Sequence, residues 1–302
     1  MKYLLGVVGI GCLAAVGSQL KGQQHLPRFQ TRVDVVHIGA LVSVNGKPVA
    51  GLRSSDFELF DNGIRQTLDD VWSDTVPIRV VLAADYSGSM RGAKLRELEA
   101  AIQALLQQLR SDDQYAVLRF SRAVRLAATG TGSSTRLVAP TALDAGGTTA
   151  LYDAAHAALL LARSTSSRSL ALIFSDGKDT SSWQTERDLL ASAQRTGVVA
   201  YAVGLDPVIR SGVDGPAFRR PDIDNAPLRR LAETTGGRLV VASSMERVRE
   251  AFLRILSEFR HRYVLVYRPH GVSREGWHTI EVKVRRHAAK VLFRRGYDGG
   301  RD

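Results

Sequence analysis

Three oxygen-bearing side chains stand at alternate positions where an apolar segment of the chain ends. Asp85, Ser87 and Ser89 follow the apolar run 80–84, and such a run is typical of a strand buried on both faces of a parallel sheet. Apolar residues then recur at steps of three and four over 95–109, which predicts a helix. The three side chains should therefore lie at the carboxyl end of a strand, where open α/β sheets bind their ligands.

One carboxylate and two hydroxyls on a turn supply oxygen ligands only. Mg²⁺ takes six oxygens in near-octahedral geometry and keeps several waters, so a few side chains suffice to hold it. A plainer interpretation is that Asp85 and Ser87 cap the following helix, because Asp and Ser are favoured at helix N-termini. Partners elsewhere in the chain decide between the two interpretations.

Two later stretches supply such partners. The glycine-rich turn Gly146-Gly147-Thr148 enters a helical pattern and brings a hydroxyl to a helix start. The apolar run 170–174 ends in Ser175-Asp176-Gly177, so a second carboxylate stands at the end of a second buried strand.

Taken in order, these three stretches resemble the metal-ion-dependent adhesion site of von Willebrand factor type A domains, which has Asp-x-Ser-x-Ser, then a Thr after a Gly-rich turn, then an Asp before Gly. The resemblance implies that Asp85, Ser87, Ser89, Thr148 and Asp176 bind Mg²⁺ or Mn²⁺, directly or through water. Thr149 replaces Thr148 if the register differs by one residue. The alternative is a domain of the same fold whose site is only structural.

The middle of the chain, residues 75–261, alternates strand and helix patterns. Strands are predicted at 115–120, 170–175, 198–204 and 238–242, with helical segments between them. This alternation predicts an α/β fold with a doubly wound, mostly parallel sheet.

Residues 30–74 and 262–296 have strand patterns instead, which predicts a small antiparallel β module flanking the α/β domain. The segment NGKPVAGLRSSDFELFDNGIRQTL, together with the closing segments AETTGGRLVVASSMERVREAFLRILSEFRHRYVLVYRP and VKVRRHAAKVLFRRGY, is similar to the VWFA-related family first described from acidobacterial proteins. Our hypothesis is that the two flanks pair into one sandwich into which the α/β domain is inserted.

Residues 1–17 have the pattern of a secretory signal peptide, with Lys2, a short apolar core and small residues before Gly17. They predict an exported protein, periplasmic or secreted. The alternative is lipoprotein processing at Cys12, the only cysteine, and membrane attachment is expected only in that case.

The chain is strongly basic, with a formal net charge of +11. Its basic residues are dispersed, and nucleic-acid motifs are absent from the sequence, so we expect no nucleic-acid partner. The sequence also lacks the Gly-x-Ser-x-Gly elbow of α/β hydrolases and the ligand spacing of zinc sites.

A segment rich in Pro, Gly and Asp follows the strand that ends at Gly204. It leaves the sheet at the same edge as the predicted site. We expect Arg210, Arg219 or Arg220 to contact an acidic partner group; the alternative is an ordinary solvated loop.

The function that the sequence predicts is not enzymatic. It is a metal-dependent protein–protein interaction of the adhesion type, in which a partner protein offers a carboxylate to the metal. The alternatives are a scaffold or chaperone subunit of an envelope complex with a structural metal, and a magnesium-dependent hydrolase in which Asp153 or Asp179 acts as the base.

Overall fold

The computed structural model describes residues 35–73, 76–133, 146–164, 168–176, 178–206 and 225–300. Within these ranges the strands are β1 (Val36–Val44), β2 (Lys47–Pro48), β3 (Phe57–Asp61), β4 (Ile64–Gln66), β5 (Asp70–Ser73), β6 (Ile78–Asp85), β7 (Gln114–Phe120), β8 (Val124–Thr131), β9 (Arg168–Ser175), β10 (Val199–Leu205), β11 (Leu239–Ala242), β12 (Tyr263–Tyr267), β13 (Trp277–Val284), β14 (Lys290–Phe293) and β15 (Gly296–Asp298). The α-helices are α1 (Ala93–Gln107), α2 (Leu151–Ala162), α3 (Glu186–Gln194), α4 (Ala226–Thr234) and α5 (Met245–Arg260).

The central sheet has the strand order β11-β10-β9-β6-β7-β8. All of its pairings are parallel except that of β8, which runs antiparallel to β7 at one edge. The predicted doubly wound, mostly parallel α/β fold is therefore confirmed. The edge strand β8 is not predicted from the sequence, because its residues are mostly exposed or half-buried and lack the continuous apolar run of the buried strands.

Strand β6 is buried on both faces because helices cover both sides of the sheet. Its residues Val80 and Leu82 pack in one hydrophobic cluster with α1 and α5, whereas Val81 and Ala83 pack in a second cluster with α2, α3 and α4. Successive side chains of a strand point to opposite faces. A continuous apolar run is thus what a strand between two helical layers requires.

The first strand of the domain, β6, lies between β7 and β9 in the sheet. The chain leaves β6 toward β7 on one side and later returns to β9 on the other side, so the strand order reverses at this point. Open α/β sheets form a crevice outside the carboxyl ends of the strands at such a switch point. Asp85 ends β6 and Asp176 directly follows β9, which places both residues at this crevice.

The opposite edge of the sheet carries the C-terminal ends of helices, whose last carbonyls have no partner within the helix. Arginine side chains donate to many of these carbonyls, an arrangement that also matches the negative end of the helix dipole. The contacts are Arg260 to Gln108 O beyond α1 (3.2 Å), Arg79 to Leu161 O of α2 (2.9 Å), Arg294 to Gln194 O of α3 (2.8 Å) and Arg168 to Arg260 O of α5 (3.2 Å). Part of the basic composition therefore serves the fold.

Strands from the two ends of the described chain pair with each other in two antiparallel sheets. In the first sheet, β1 lies between β14 and β12, and β5 pairs with β12; in the second, β13 lies between β15 and β3. The two sheets share one hydrophobic core. The last strand, β15, continues to Asp298, two residues past the end of the predicted C-terminal β segment. Three residues are too few to give a strand pattern in the sequence.

Arg262 joins this β module to the central sheet. The residue lies between α5 and β12 and is 2% exposed. Its guanidinium donates to the hydroxyl of Tyr201 in β10 (3.1 Å), to Gly39 O in β1 (2.8 Å) and to Leu292 O in β14 (3.1 Å). A cavity of about 790 Å³ lies at this junction, lined by Gly39 and Arg262. It lies on the side of the domain away from Asp85.

A buried polar cluster ties the two sheets of the β module together. Asp61 of β3 accepts hydrogen bonds from Tyr267 of β12 (2.8 Å) and Tyr297 of β15 (3.0 Å). Its other oxygen lies 2.8 Å from Nδ1 of His278 in β13, whose ring stacks on Tyr297. Burial is the leading cause that raises the pKa values of both tyrosines, so they remain neutral donors.

We expect Asp61→Ala to lower the free energy of unfolding by about 3 kcal/mol or more, because three buried polar groups lose their common acceptor. Tyr297→Phe removes a single donor near the edge of the module and should cost about 1 kcal/mol. Chemical denaturation of the two variants tests this order. Equal, small losses in both would contradict a stabilising role for Asp61.

Candidate metal centre

Asp85 is held at the carboxyl end of β6 with no exposed surface. Its Oδ1 accepts the backbone N–H of Ser87 at 2.8 Å, and its Oδ2 accepts the hydroxyl of Ser175, the last residue of β9, at 2.6 Å. The neighbouring strand therefore fixes the carboxylate from one side and the turn fixes it from the other.

A chain of polar contacts continues from this turn to the second carboxylate. The Oγ atoms of Ser87 and Ser89 lie 3.1 Å apart, and the Ser89 hydroxyl donates to Oδ1 of Asp176 at 2.7 Å. The turn itself includes a short 3₁₀ helix, Gly88–Met90, before α1 begins. The structure therefore brings Asp85, Ser87, Ser89 and Asp176 together.

The threonine stretch lies against the same turn. Gly88 N–H donates to Gly147 O (3.2 Å) and Gly146 N–H donates to Tyr86 O (2.9 Å), so Thr148 follows a segment bonded directly to the Asp-x-Ser-x-Ser turn. Thr148 is exposed. Thr149 is buried, and its backbone N–H and C=O both bond to the segment 180–181. Of the two threonines, Thr148 therefore has its side chain accessible to a ligand.

The loop 178–185 borders the site and is held in place by α2. Asp179 accepts the N–H groups of Leu151 and Tyr152 at the start of α2. Asp153 accepts the N–H groups of Trp183 and Gln184. Both carboxylates thus hold backbone donors, whereas the Trp183 side chain is 96% exposed.

The donor set fits a hard divalent cation. Asp176 is fully buried, and its Oδ2 accepts no hydrogen bond from the described part of the chain. Nζ of Lys94, in the first turn of α1, lies 3.6 Å from this oxygen. A buried carboxylate oxygen without a hydrogen bond is costly, so a divalent cation that binds this oxygen would remove an unfavourable feature. In the described ranges no three His, Cys, Asp or Glu side chains cluster as a metal site, so any shell here also uses hydroxyls and water.

Burial raises the pKa of Asp85 from 3.8 to about 6, and the charge of Asp176 adds to the increase, while the bonds from Ser175 and Ser87 lower it. The two carboxylates therefore repel each other when both are ionised. A divalent cation between them would offset this repulsion.

Two further residues of this site are not predicted from the sequence. Ser175 ends a strand, and the signal that could identify it is that a hydroxyl there can meet the end of a neighbouring strand. Lys94 has no such signal, because its position depends on the reach of its side chain across the turn. Arg210, Arg219 and Arg220 lie outside the described residues, as do residues 1–17 and Cys12.

A mostly parallel sheet with carboxylates and hydroxyls at its switch point defines a class of α/β ligand-binding domain. The family model for the von Willebrand factor type A domain matches residues 80–254, more than half of the chain. The chain therefore belongs to the von Willebrand factor type A domain family, and that predicted resemblance is confirmed. Domains of this family bind a divalent metal at the adhesion-site motif and typically mediate protein–protein interactions.

Individual relatives are more distant. Inter-alpha-trypsin inhibitor heavy chain H2 of Mus musculus is 38% identical over 52 residues, which are 17% of this chain and 6% of that protein. The structure of the ArnB paralog VWA2 from Sulfolobus acidocaldarius is 14% identical, with 87% of this chain and 76% of that chain covered and a TM-score of 0.47. Proximal thread matrix protein 1 from the mussel byssus, whose adhesion-site motif is occupied by zinc in one structure, is 12% identical with 66% and 50% covered and a TM-score of 0.49.

The described helices include none that is both long and apolar enough to cross a membrane.

Metal binding should weaken in acid. The folded, metal-free chain binds a proton at Asp85 with a pKa of about 6, so a divalent cation must displace that proton below this pH. The apparent affinity for Mg²⁺ should be constant above about pH 7 and fall roughly tenfold for each pH unit below 6. The same raised pKa means that ionised Asp85 destabilises the metal-free fold, whose stability should rise as pH falls from 6 toward 4.

Calorimetric titration of Mg²⁺ at constant ionic strength between pH 5 and 8 measures the affinity, and thermal unfolding in EDTA measures the stability. Asp85→Asn should remove the pH dependence of the stability in EDTA and, because it lacks the ligand carboxylate, should no longer bind Mg²⁺. An affinity at pH 5 equal to that at pH 7.5 would contradict the assignment of Asp85 as a ligand.

Proposed function

We propose that this chain is an exported protein–protein interaction module of the adhesion type. In this proposal Asp85, Ser87, Ser89, Thr148 and Asp176 hold Mg²⁺ or Mn²⁺, and a carboxylate of a partner protein completes the coordination shell. Export is proposed on the signal-peptide pattern of residues 1–17.

The observation that carries the proposal is the buried Asp176 carboxylate beside the Asp85 carboxylate at the switch point, with one oxygen that accepts no hydrogen bond within the described residues. The bound metal would supply a positive centre that accepts oxygen ligands. Mg²⁺ takes six oxygen ligands, more than these side chains supply. An oxygen of an external carboxylate can therefore take a remaining position.

The surroundings suit a macromolecular partner. The Trp183 side chain is 96% exposed, and its backbone N–H donates to Oδ2 of Asp153 at 3.0 Å. A Trp on a rigid loop is a frequent centre of binding energy in protein interfaces. We include Trp183 in the proposed partner surface, together with Arg210, Arg219 and Arg220 from the segment that follows β10.

The hydrolase alternative is less favoured. Its candidate bases, Asp153 and Asp179, each accept two or more hydrogen bonds from backbone N–H or hydroxyl groups. Such bonds occupy the lone pairs that a general base needs in order to take a proton from water. Both residues have a sufficient role in fixing the loop 178–185.

Titration calorimetry of Mg²⁺ and Mn²⁺ into the protein tests the metal site. We expect saturable binding at one site, lost in Asp85→Ala and in Asp176→Ala. Asp112→Ala, which removes an exposed carboxylate elsewhere, is the matched control and should bind like the parent. A parent protein that binds neither metal would refute the proposal.

Partner binding should depend on both the metal and Trp183. Envelope proteins retained by the immobilised protein in Mg²⁺ should elute with EDTA and be missing from an Asp176→Ala column. Trp183→Ala should weaken the interaction with such a partner by about tenfold or more while leaving the Mg²⁺ affinity unchanged. Trp277→Ala, at a half-exposed Trp of the β module, is the control. Equal retention in Mg²⁺ and EDTA would count against a metal-dependent contact.

A further inference from the structure

Lys94 lies close to the proposed metal ligands, although the adhesion-site motif does not include it. Its Nζ is 3.6 Å from Oδ2 of Asp176, and the two side chains are 24% and 0% exposed. This oxygen accepts no hydrogen bond from the described residues, while Oδ1 of the same carboxylate accepts the Ser89 hydroxyl. Lys94 therefore places a positive charge beside the oxygen of Asp176 that accepts no hydrogen bond in the described part of the chain.

We propose that Lys94 acts as a built-in counter-cation of Asp176, which stabilises the metal-free site and must give up this contact when a divalent metal binds. This inference rests on the proposed metal-binding function. It adds a means by which the chain sets its own metal affinity.

The charges of the site explain why such a cation is needed. Asp85 and Asp176 are both fully buried, and two buried like charges near each other are unfavourable. The burial of the Asp85 carboxylate is offset by hydrogen bonds from the Ser175 hydroxyl and the Ser87 backbone N–H. Within the described ranges Asp176 accepts the Ser89 hydroxyl on Oδ1, and the ammonium group of Lys94 places a positive charge beside Oδ2.

The position of Lys94 allows it to leave. It is the second residue of α1, and Gly92, which precedes the helix, has φ +75°. Its side chain is partly exposed, so the long flexible stem can carry the ammonium group into solvent without a change in the backbone. A metal near Asp176 would repel the ammonium group and drive this movement.

The competition has a thermodynamic signature. If Lys94 pairs with Asp176 only in the metal-free state, removing its charge destabilises that state alone. The decrease in the free energy of unfolding measured in EDTA must then equal the increase in the free energy of metal binding. At saturating metal, the parent protein and a variant without the Lys94 charge must have equal stability. The affinities for Mg²⁺ and Mn²⁺ must also increase by the same factor, because both ions bind to the same metal-free state.

Lys94→Gln tests this with Arg96→Gln as the matched control. Arg96 is exposed on the same helix, so its variant removes a positive charge from the same region without touching the Asp176 contact. We expect Lys94→Gln to lower the melting temperature in EDTA by about 2–4 °C. It should tighten Mg²⁺ and Mn²⁺ by about fivefold each, the equivalent of about 1 kcal/mol at 25 °C. Arg96→Gln should change the affinities by less than twofold.

Thermal unfolding in EDTA and at saturating Mg²⁺, with calorimetry for both ions, gives all the required quantities. Unchanged metal affinity in Lys94→Gln, or an equal gain in Arg96→Gln, would overturn the inference while leaving the metal site intact. Weaker metal binding in Lys94→Gln would also overturn it, because Lys94 would then support the bound state. If neither the parent nor Lys94→Gln binds metal, the proposed function fails, and the EDTA stabilities still show whether the ion pair exists.

Discussion

The structure depends on two carboxylates buried side by side where neighbouring parallel strands end. Asp85 and Asp176 have no exposed surface, and such a pair is stable only if every available dipole and charge around it is favourable. The surroundings meet this requirement with hydroxyls from Ser175 and Ser89, a backbone N–H from the turn, and the ammonium group of Lys94. The proposed metal binding would therefore be linked to fold stability at this point.

The direction of the helices divides the domain into two chemically different edges. Parallel strands joined through helices bring helix N-termini to the edge with the acidic residues and helix C-termini to the other edge. N-termini favour negative charge and C-termini favour positive charge. Arginines bind the terminal carbonyls at the second edge, so a high positive charge is compatible with an acidic ligand site. The net charge of +11 is not by itself evidence of a nucleic-acid or membrane partner.

The β module is held to the α/β domain at the edge away from the metal centre. Arg262 donates hydrogen bonds to both parts, and Arg294, which follows β14, donates to one carbonyl at the end of α3 and to one just beyond it. Burial lowers the pKa of Arg294 to about 10, so it stays charged at neutral pH. Because these contacts lie at the far edge, they leave the edge that carries Asp85 and Asp176 free of the β module.

The sequence by itself determined the local chemistry. A strand buried on both faces needs a continuous apolar run, so the runs before Asp85 and Asp176 predicted β6 and β9, and the switch-point rule placed both residues at a common edge. The period of the apolar residues after Ser89 predicted α1. These inferences succeeded because they depend on neighbours along the chain and on the period of burial.

Only the tertiary structure decided which groups touch. The pairing of β6 with β9 joins residues about ninety positions apart, and it alone explains why Ser175 bonds to Asp85. The exposed strand β8 and the short β15 exist because a neighbouring strand offers hydrogen bonds, since neither has a strong pattern of its own. Thr148 and Thr149 are equivalent in the sequence, yet one is exposed and the other buried by the loop that follows β9. Lys94 faces Asp176 because two loops meet at the switch point, and packing across the sheet rather than local pattern fixes that meeting.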